Sequence, residues 1–278
     1  MIGTVRKLTA IGIMAFAAGA VHAASAPVDW NYQFDLKWVE GSASFTPGTA
    51  YYGQPTGSTR QTQSLISWGY AGGADGSTNK FGDPTQLRSS IVINPTDVDS
   101  LSPITSNGGP VAANAFTHYN NIIDGSFATL NHVQLQLDIV LTSADGNSIS
   151  KNWTQTFDVY FKETPNNTGN ATLDADIFTI TWNGDYSETF VYDGYEYTFN
   201  YFEDTGRLNP LAQSECAKVG RPSNCIGFST NEGVKTGVEF GFHVAAAPVP
   251  EPETYAMLLA GLGIVGAVAR RRRHYIAG

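Results

Sequence analysis

The sequence is poor in the residues that most often build reactive or metal-binding sites. It contains only two cysteines, five histidines and three methionines among 278 residues. Two cysteines are too few for a disulfide-dense scaffold or a four-cysteine zinc site. The nucleophile motif Gly-x-Ser-x-Gly and the zinc-protease motif His-Glu-x-x-His are also missing. We therefore expect a protein that is not an enzyme and needs no cofactor.

Charged residues are scarce as well, and positive charge is the scarcer sign. They make up 15% of the chain, and the net charge is −9. Six of the 16 basic residues and two of the 25 acidic residues lie in the terminal segments, so the part between carries a charge near −13. Such an excess argues against nucleic acid or anionic lipid as a partner. It suits a soluble surface protein or one that binds divalent cations.

The amino terminus has the pattern of a secretory signal peptide. Arg6 and Lys7 precede the apolar run Leu8 to Ala20, and Val21-His22-Ala23 supplies a small-x-small cleavage site. We predict that residues 1–23 are removed and that residues 24–247 form the exported domain.

The last thirty residues combine three physical features in order. Pro250-Glu251-Pro252, after Val249, resists helix formation and stays accessible to an enzyme. The uncharged run Tyr255 to Ala269 has fifteen residues, enough for a short membrane helix of about 22 Å. A basic cluster follows and holds that end in the cytoplasm. Its members are Arg270, Arg271, Arg272 and Arg273.

This order of features resembles the sorting tail of PEP-CTERM proteins, which are bacterial substrates of exosortases. We assign residues 248–278 to this tail. The resemblance implies that an exosortase in the inner membrane recognises Pro250-Glu251-Pro252 and removes the helix. The protein then reaches the cell surface or extracellular matrix of a Gram-negative bacterium, after a transient stage of membrane anchoring. An ordinary C-terminal anchor is the alternative.

Strict alternation of apolar and polar residues predicts strands between the two terminal segments. Trp30 to Trp38 and Val133 to Leu141 each place every second residue on an apolar face. Asp193-Gly194 separates two short apolar runs, as in a two-residue hairpin. No segment of useful length has a helical period. The sequence therefore predicts an all-β domain, an antiparallel β-sandwich of jelly-roll type.

The two cysteines, Cys216 and Cys225, both lie in the exported part. In an oxidising compartment a lone pair separated by a short, turn-rich loop should form a disulfide. A metal site is the alternative, but no histidine or further cysteine lies nearby in the sequence.

The segment Thr117-His118-Tyr119-Asn120 precedes a predicted strand. It resembles the signature of the THxN family of PEP-CTERM proteins, and the chain from about Trp68 to Leu141 is similar to the choice-of-anchor K type of surface domain. The resemblance implies no particular reaction. Thr117, His118 and Asn120 bring a hydroxyl, an imidazole and an amide together, which could orient a sugar or bind a metal. We favour a structural role in which these groups satisfy the backbone of a loop.

Pairs of acidic residues raise the possibility of calcium. Asp97 and Asp99 lie in a proline-bounded loop, and Asp174 and Asp176 lie just before a strand. Neither pair has the glycine and terminal glutamate of an EF-hand. We favour solvated turn carboxylates, and a structural calcium at one pair remains open.

Two functions are compatible with these features. The first is a structural or adhesive component of the exopolysaccharide matrix or biofilm, with exosortase and exopolysaccharide as the expected partners. The second is a secreted hydrolase that acts on polysaccharide. An exposed row of aromatic residues would favour binding, and two carboxylates in a deep cleft would favour hydrolysis. The aromatic candidates are Tyr51, Tyr52, Trp68, Tyr70, Tyr195, Tyr197 and Tyr201.

Overall fold

The computed structural model describes residues 27–48, 60–69, 88–94, 103–123, 125, 127–147, 149–166, 168–182, 185–249 and 256–266. The predicted signal peptide, Pro250-Glu251-Pro252, the arginine cluster and the pair Asp97 and Asp99 lie outside these ranges. Within them the chain is mostly β, which confirms the predicted fold class at that level.

The strands form two sheets in which every pairing is antiparallel. The first sheet has the order β1-β7-β8-β9-β13-β12, with β2 beside β7. Its strands are β1 (Trp30–Trp38), β2 (Ser44–Phe45), β7 (Leu130–Ser143), β8 (Ser150–Lys162), β9 (Asp176–Ile180), β12 (Asn209–Pro210) and β13 (Ile226–Thr230). The second sheet has the order β10-β11-β14-β6-β5-β4-β3. Its strands are β3 (Arg60–Gln61), β4 (Leu65–Trp68), β5 (Ser89–Asn94), β6 (Val111–Tyr119), β10 (Asp185–Tyr192), β11 (Tyr195–Glu203) and β14 (Lys235–Pro248).

One hydrophobic core lies between the two sheets. The alternation predicted in β1 and β7 is confirmed, because Trp30, Trp38 and the odd-numbered residues from Val133 to Leu141 are all buried. Rings of the first sheet contact rings of the second, with centroids 5.1 Å apart for Trp30 and Tyr197 and 4.4 Å apart for Phe34 and Phe242. The register is fixed because a slip of one residue would turn each buried row toward solvent.

The predicted hairpin turn joins β10 and β11. Asp193 and Gly194 both have positive φ, 45° and 76°, the backbone that a two-residue type I′ turn requires. Glycine adopts it without steric cost, and aspartate is among the few other residues that tolerate it.

The disulfide between Cys216 and Cys225 is confirmed, with the two Cα atoms 5.7 Å apart. Cys216 lies in a short helix that the sequence did not predict, α2 (Gln213–Lys218), and a second one is α1 (Ala171–Asp174). Asn170 caps α1 by accepting from the Thr172 amide at 3.0 Å. Both helices are too short to display a helical period of apolar residues.

Residues 256–266 are helical, inside the run predicted to span the membrane. Of the helices in the described ranges, none combines the length and the hydropathy of a membrane span. The membrane helix over 255–269 stays a prediction.

Candidate functional site: a buried acidic cluster

Strand β6 sends the residues of the Thr-His-x-Asn segment to opposite sides. Alternation places His118 and Asn120 on the face that carries the buried Phe116, and Thr117 on the other face. On that other face, the Thr117 hydroxyl oxygen accepts from Asn94 Nδ2 at 3.1 Å. The structure therefore brings His118 and Asn120 to the interior and separates Thr117 from them.

His118 is enclosed by aromatic rings. Its ring centroid lies 6.0 Å from that of Trp68, 5.1 Å from that of Phe161 and 6.3 Å from that of Phe228. Its Nδ1 is 3.0 Å from Thr230 Oγ1, which itself donates to Thr236. Since the Thr230 hydroxyl donates its one proton to Thr236, it accepts a hydrogen bond from His118. The proton of the imidazole ring therefore sits on Nδ1. Burial lowers the pKa of His118 to about 3, so the ring is neutral.

We predict that His118→Ala destabilises the fold without releasing a transition metal. The substitution removes one buried hydrogen bond and a packed ring, and we expect a loss of about 2 kcal/mol in the free energy of unfolding. Urea denaturation measures the loss, and elemental analysis of the same samples measures bound metal. His132→Ala is the control, because that ring is half-buried and bonds Asp158. Zinc at one per chain, lost only in the His118 variant, would contradict the prediction.

Asn120 directly follows β6 and is fully buried. Its Nδ2 donates to the Thr230 carbonyl at 2.8 Å. Its backbone amide donates to the Val234 carbonyl, and its carbonyl accepts from the Gly233 amide, each at 3.0 Å. Both partners lie in the loop between β13 and β14. Within the described part of the chain, its Oδ1 has no hydrogen-bond partner. An unpaired buried oxygen costs free energy unless something binds it.

Three carboxylates meet beside Asn120. Glu163 follows β8, Asp176 begins β9, and Glu232 lies in the loop from β13 to β14. Each contributes an oxygen, and these oxygens lie within 4.8 Å of one another. Two donors hold the cluster in place, since Trp68 Nε1 donates to Glu163 at 2.8 Å and the Thr164 amide donates to Asp176 at 2.9 Å.

The cluster has more acceptor oxygens than donors. Glu163 Oε1, Asp176 Oδ2 and both oxygens of Glu232 are buried and lack hydrogen-bond partners among the described residues. The Asn120 amide lies close enough to lower the pKa of Glu232, but no hydrogen bond of normal geometry reaches that carboxylate from the described part of the chain.

Burial raises the pKa of all three carboxyl groups. The pKa of Glu163 rises to about 8 and that of Glu232 to about 7, in both cases mainly through loss of water. The pKa of Asp176 lies well above its usual range, because of burial first and the neighbouring Glu163 second. Three negative charges this close repel one another in a medium of low dielectric constant. At neutral pH the cluster therefore needs protons or a cation.

Asp174 and Asp176 are both buried, so the preferred prediction of solvated turn carboxylates is wrong for this pair, and the two carboxylates make different contacts. Both oxygens of Asp174 face the Thr168 amide, at 3.1 and 3.2 Å. Only Asp176 belongs to the cluster. Sequence reasoning missed Glu163 and Glu232, since both are distant in sequence from Asp176 and neither stands in a local motif.

Comparison with protein families identifies the tail. Residues 248–273 match the family model of the PEP-CTERM protein-sorting motif. The chain carries an exosortase sorting signal. No curated protein matches the chain, and the match covers the tail and not the β domain. The motif indicates a surface protein that is exported and sorted through the membrane by an exosortase.

Four of the seven aromatic candidates lie in the described residues, and these four do not form an exposed platform. Trp68, Tyr195, Tyr197 and Tyr201 are buried in the core, where a sugar cannot stack on them. Tyr51, Tyr52 and Tyr70 lie outside the described residues. A different surface feature is a groove of about 250 Å³ that is lined by both polar and apolar residues. Its polar members are Asp35, Lys37, Gln63, Ser64, Asn94 and Asn114.

Proposed function

We propose that the protein is a structural or adhesive component of the extracellular matrix, associated with exopolysaccharide or a biofilm at the surface of a Gram-negative bacterium. The observation that carries the proposal is the sorting motif at residues 248–273. A signal peptide at residues 1–23 and a membrane helix at 255–269 complete the route, with the inner membrane as a transient anchor. The Thr-His-x-Asn segment supports membership of the THxN group.

A binding role without catalysis is favoured by the β domain. We propose a jelly-roll sandwich. Its groove beside β1 and β5 offers, among apolar residues, amides and charged groups that can bond sugar hydroxyls. The hydrolase alternative would use two carboxylates exposed to substrate, about 5 to 9.5 Å apart. Asp176 is fully buried, and its partners Glu163 and Glu232 present buried oxygens. A polymer does not reach carboxylates in that position.

Changing the sorting motif tests this route. In a host that has an exosortase, the mature protein should lack Tyr255 to Gly278 and should co-sediment with exopolysaccharide in the matrix fraction. The double variant Pro250→Ala and Pro252→Ala should keep its tail and stay in the membrane fraction, because the extended substrate segment is lost. Intact mass spectrometry of each fraction gives both results.

Glu253→Ala is the matched control, since it lies one residue beyond Pro250-Glu251-Pro252 and should be processed like wild type. A wild-type surface protein that retains residues 255–278 would refute the sorting route. Correct processing without any co-sedimentation would refute only the association with exopolysaccharide.

A further inference from the structure

We propose that Glu163, Asp176, Glu232 and the side-chain oxygen of Asn120 form a calcium-binding site at one end of the β domain. This ligand set differs from the acidic pairs that the sequence suggested, because only Asp176 is shared with them.

The spacing of the carboxylates suits calcium. Calcium binds oxygen ligands at about 2.3 to 2.6 Å, so two oxygens on opposite sides of one ion are about 4.6 to 5.2 Å apart. The ligand oxygens of Glu163, Asp176 and Glu232 all lie within 4.8 Å of one another. One ion can therefore contact all three carboxylates without a large movement of the backbone.

Asn120 supplies an independent reason to place an ion here. It is fully buried, and its Nδ2 donates to the Thr230 carbonyl at 2.8 Å. The side-chain amide lies against Glu232. Its Oδ1 has no partner in the described ranges. A neutral amide oxygen cannot accept from an ionised carboxylate, but it is a common calcium ligand. The ion would satisfy this oxygen together with the carboxylates.

The donor set favours calcium over a transition metal. The ligand atoms are oxygens, and within the described residues the cluster contains neither cysteine nor histidine. Hard cations prefer carboxylate and carbonyl oxygens, whereas zinc and copper prefer nitrogen and sulfur. Calcium takes six to eight ligands, so at least two further oxygens, from bidentate carboxylates or waters, complete the shell.

The site would join the two sheets. Glu163 follows β8 and Asp176 begins the neighbouring β9, both in the first sheet, whereas Asn120 follows β6 of the second sheet. Glu232 lies in the loop that crosses from β13 to β14 and so from one sheet to the other. A calcium ion bound by all four residues would hold this end of the domain together after export.

Calcium titration of the full chain tests the proposal. The chain is stripped with EDTA and then titrated with CaCl₂ in a calorimeter at about pH 7.5. We expect one ion per chain, with a dissociation constant between about 10⁻⁴ and 10⁻³ M, as in extracellular modules. The melting temperature should rise with calcium concentration, because the ion binds only the folded state.

Two variants separate the cluster from general charge effects. Glu232→Gln should weaken calcium binding at least about tenfold, since even an outer partner of a bound metal contributes about that much to affinity. Glu163→Gln should do the same, while its amide oxygen can still accept from Trp68. Glu239→Gln is the matched control, because Glu239 is exposed on β14, and its calcium affinity should match that of wild type.

Three results would overturn the proposal. One is a calcium titration that gives no heat of binding, together with a melting temperature that does not change with calcium concentration. A second is an affinity that Glu232→Gln and Glu163→Gln leave unchanged. The third is a cluster that is held only by protons. A carboxyl group whose pKa is raised in the folded state stabilises the fold as pH falls. The melting temperature would then rise from about pH 8 toward pH 5, and calcium would have no effect at any pH.

Discussion

Replacing Gly227 with alanine should destabilise the protein by about 3 kcal/mol or more. Gly227 lies in β13, opposite Thr179 of β9. A Cβ atom built there would overlap the Phe178 carbonyl oxygen and lie 2.9 Å from the Thr179 Cα. These are backbone atoms of the neighbouring strand, so no side-chain rotation relieves the overlap. The strands must move apart, which disturbs the start of β9 where Asp176 lies.

Gly237→Ala is the matched control for this prediction. Gly237 also lies in a strand, β14, but a Cβ there would meet only Thr117 Oγ1, at 3.8 Å. That distance is an ordinary van der Waals contact, and the residue is exposed. Urea unfolding of both variants measures the difference. Equal stabilities would show that β9 and β13 can separate at Gly227 without cost.

The strands could be predicted from the sequence because their signals are local. Alternation from Trp30 to Trp38 identifies both the strand and its buried face, since side chains in a strand point to opposite sides in turn. The hairpin at Asp193 and Gly194 could be predicted for the same reason, because two adjacent residues define the turn.

The pairing of distant strands has no such local signal. Trp30 of β1 pairs with Ser143 of β7, and Asp185 of β10 begins a strand of the other sheet. Alternation indicates which face of a strand is apolar, but it does not indicate which other strand pairs with it, because many strands would pair equally well. The order of strands in each sheet depends on the packing of the whole core.

Only part of the candidate site could be predicted from the sequence, again because some of its signals are local and others are not. His118 and Asn120 stand in a recognisable four-residue segment, but the direction of each side chain depends on where β6 places its core face. Glu163 and Glu232 join them only because β8, β9 and the loop after β13 end at one place. Each carboxylate alone resembles a surface residue in the sequence. Its burial becomes visible only in the folded chain.

The indole of Trp68 should contribute more to stability than that of Trp38, although both side chains are fully buried. Trp68 Nε1 donates to Glu163 at 2.8 Å. Trp38 Nε1 is also buried, but no partner for it occurs in the described ranges. Both Trp→Phe substitutions remove ring volume, and each leaves a cavity that the core fills only in part. Only Trp68→Phe also leaves a buried carboxyl group without its donor.

We therefore expect Trp68→Phe to lower the free energy of unfolding by about 1 to 3 kcal/mol more than Trp38→Phe, which is the cost of an unsatisfied buried polar group. Urea denaturation in EDTA measures both variants without a contribution from bound cations. A double-mutant cycle of Trp68→Phe and Glu163→Met isolates the interaction, because methionine has no oxygen that can accept from the indole. A coupling energy near zero, with equal stability losses in Trp68→Phe and Trp38→Phe, would mean that Trp68 acts only as a packed ring. A clear coupling would establish that the aromatic core and the acidic cluster stabilise each other through this one hydrogen bond.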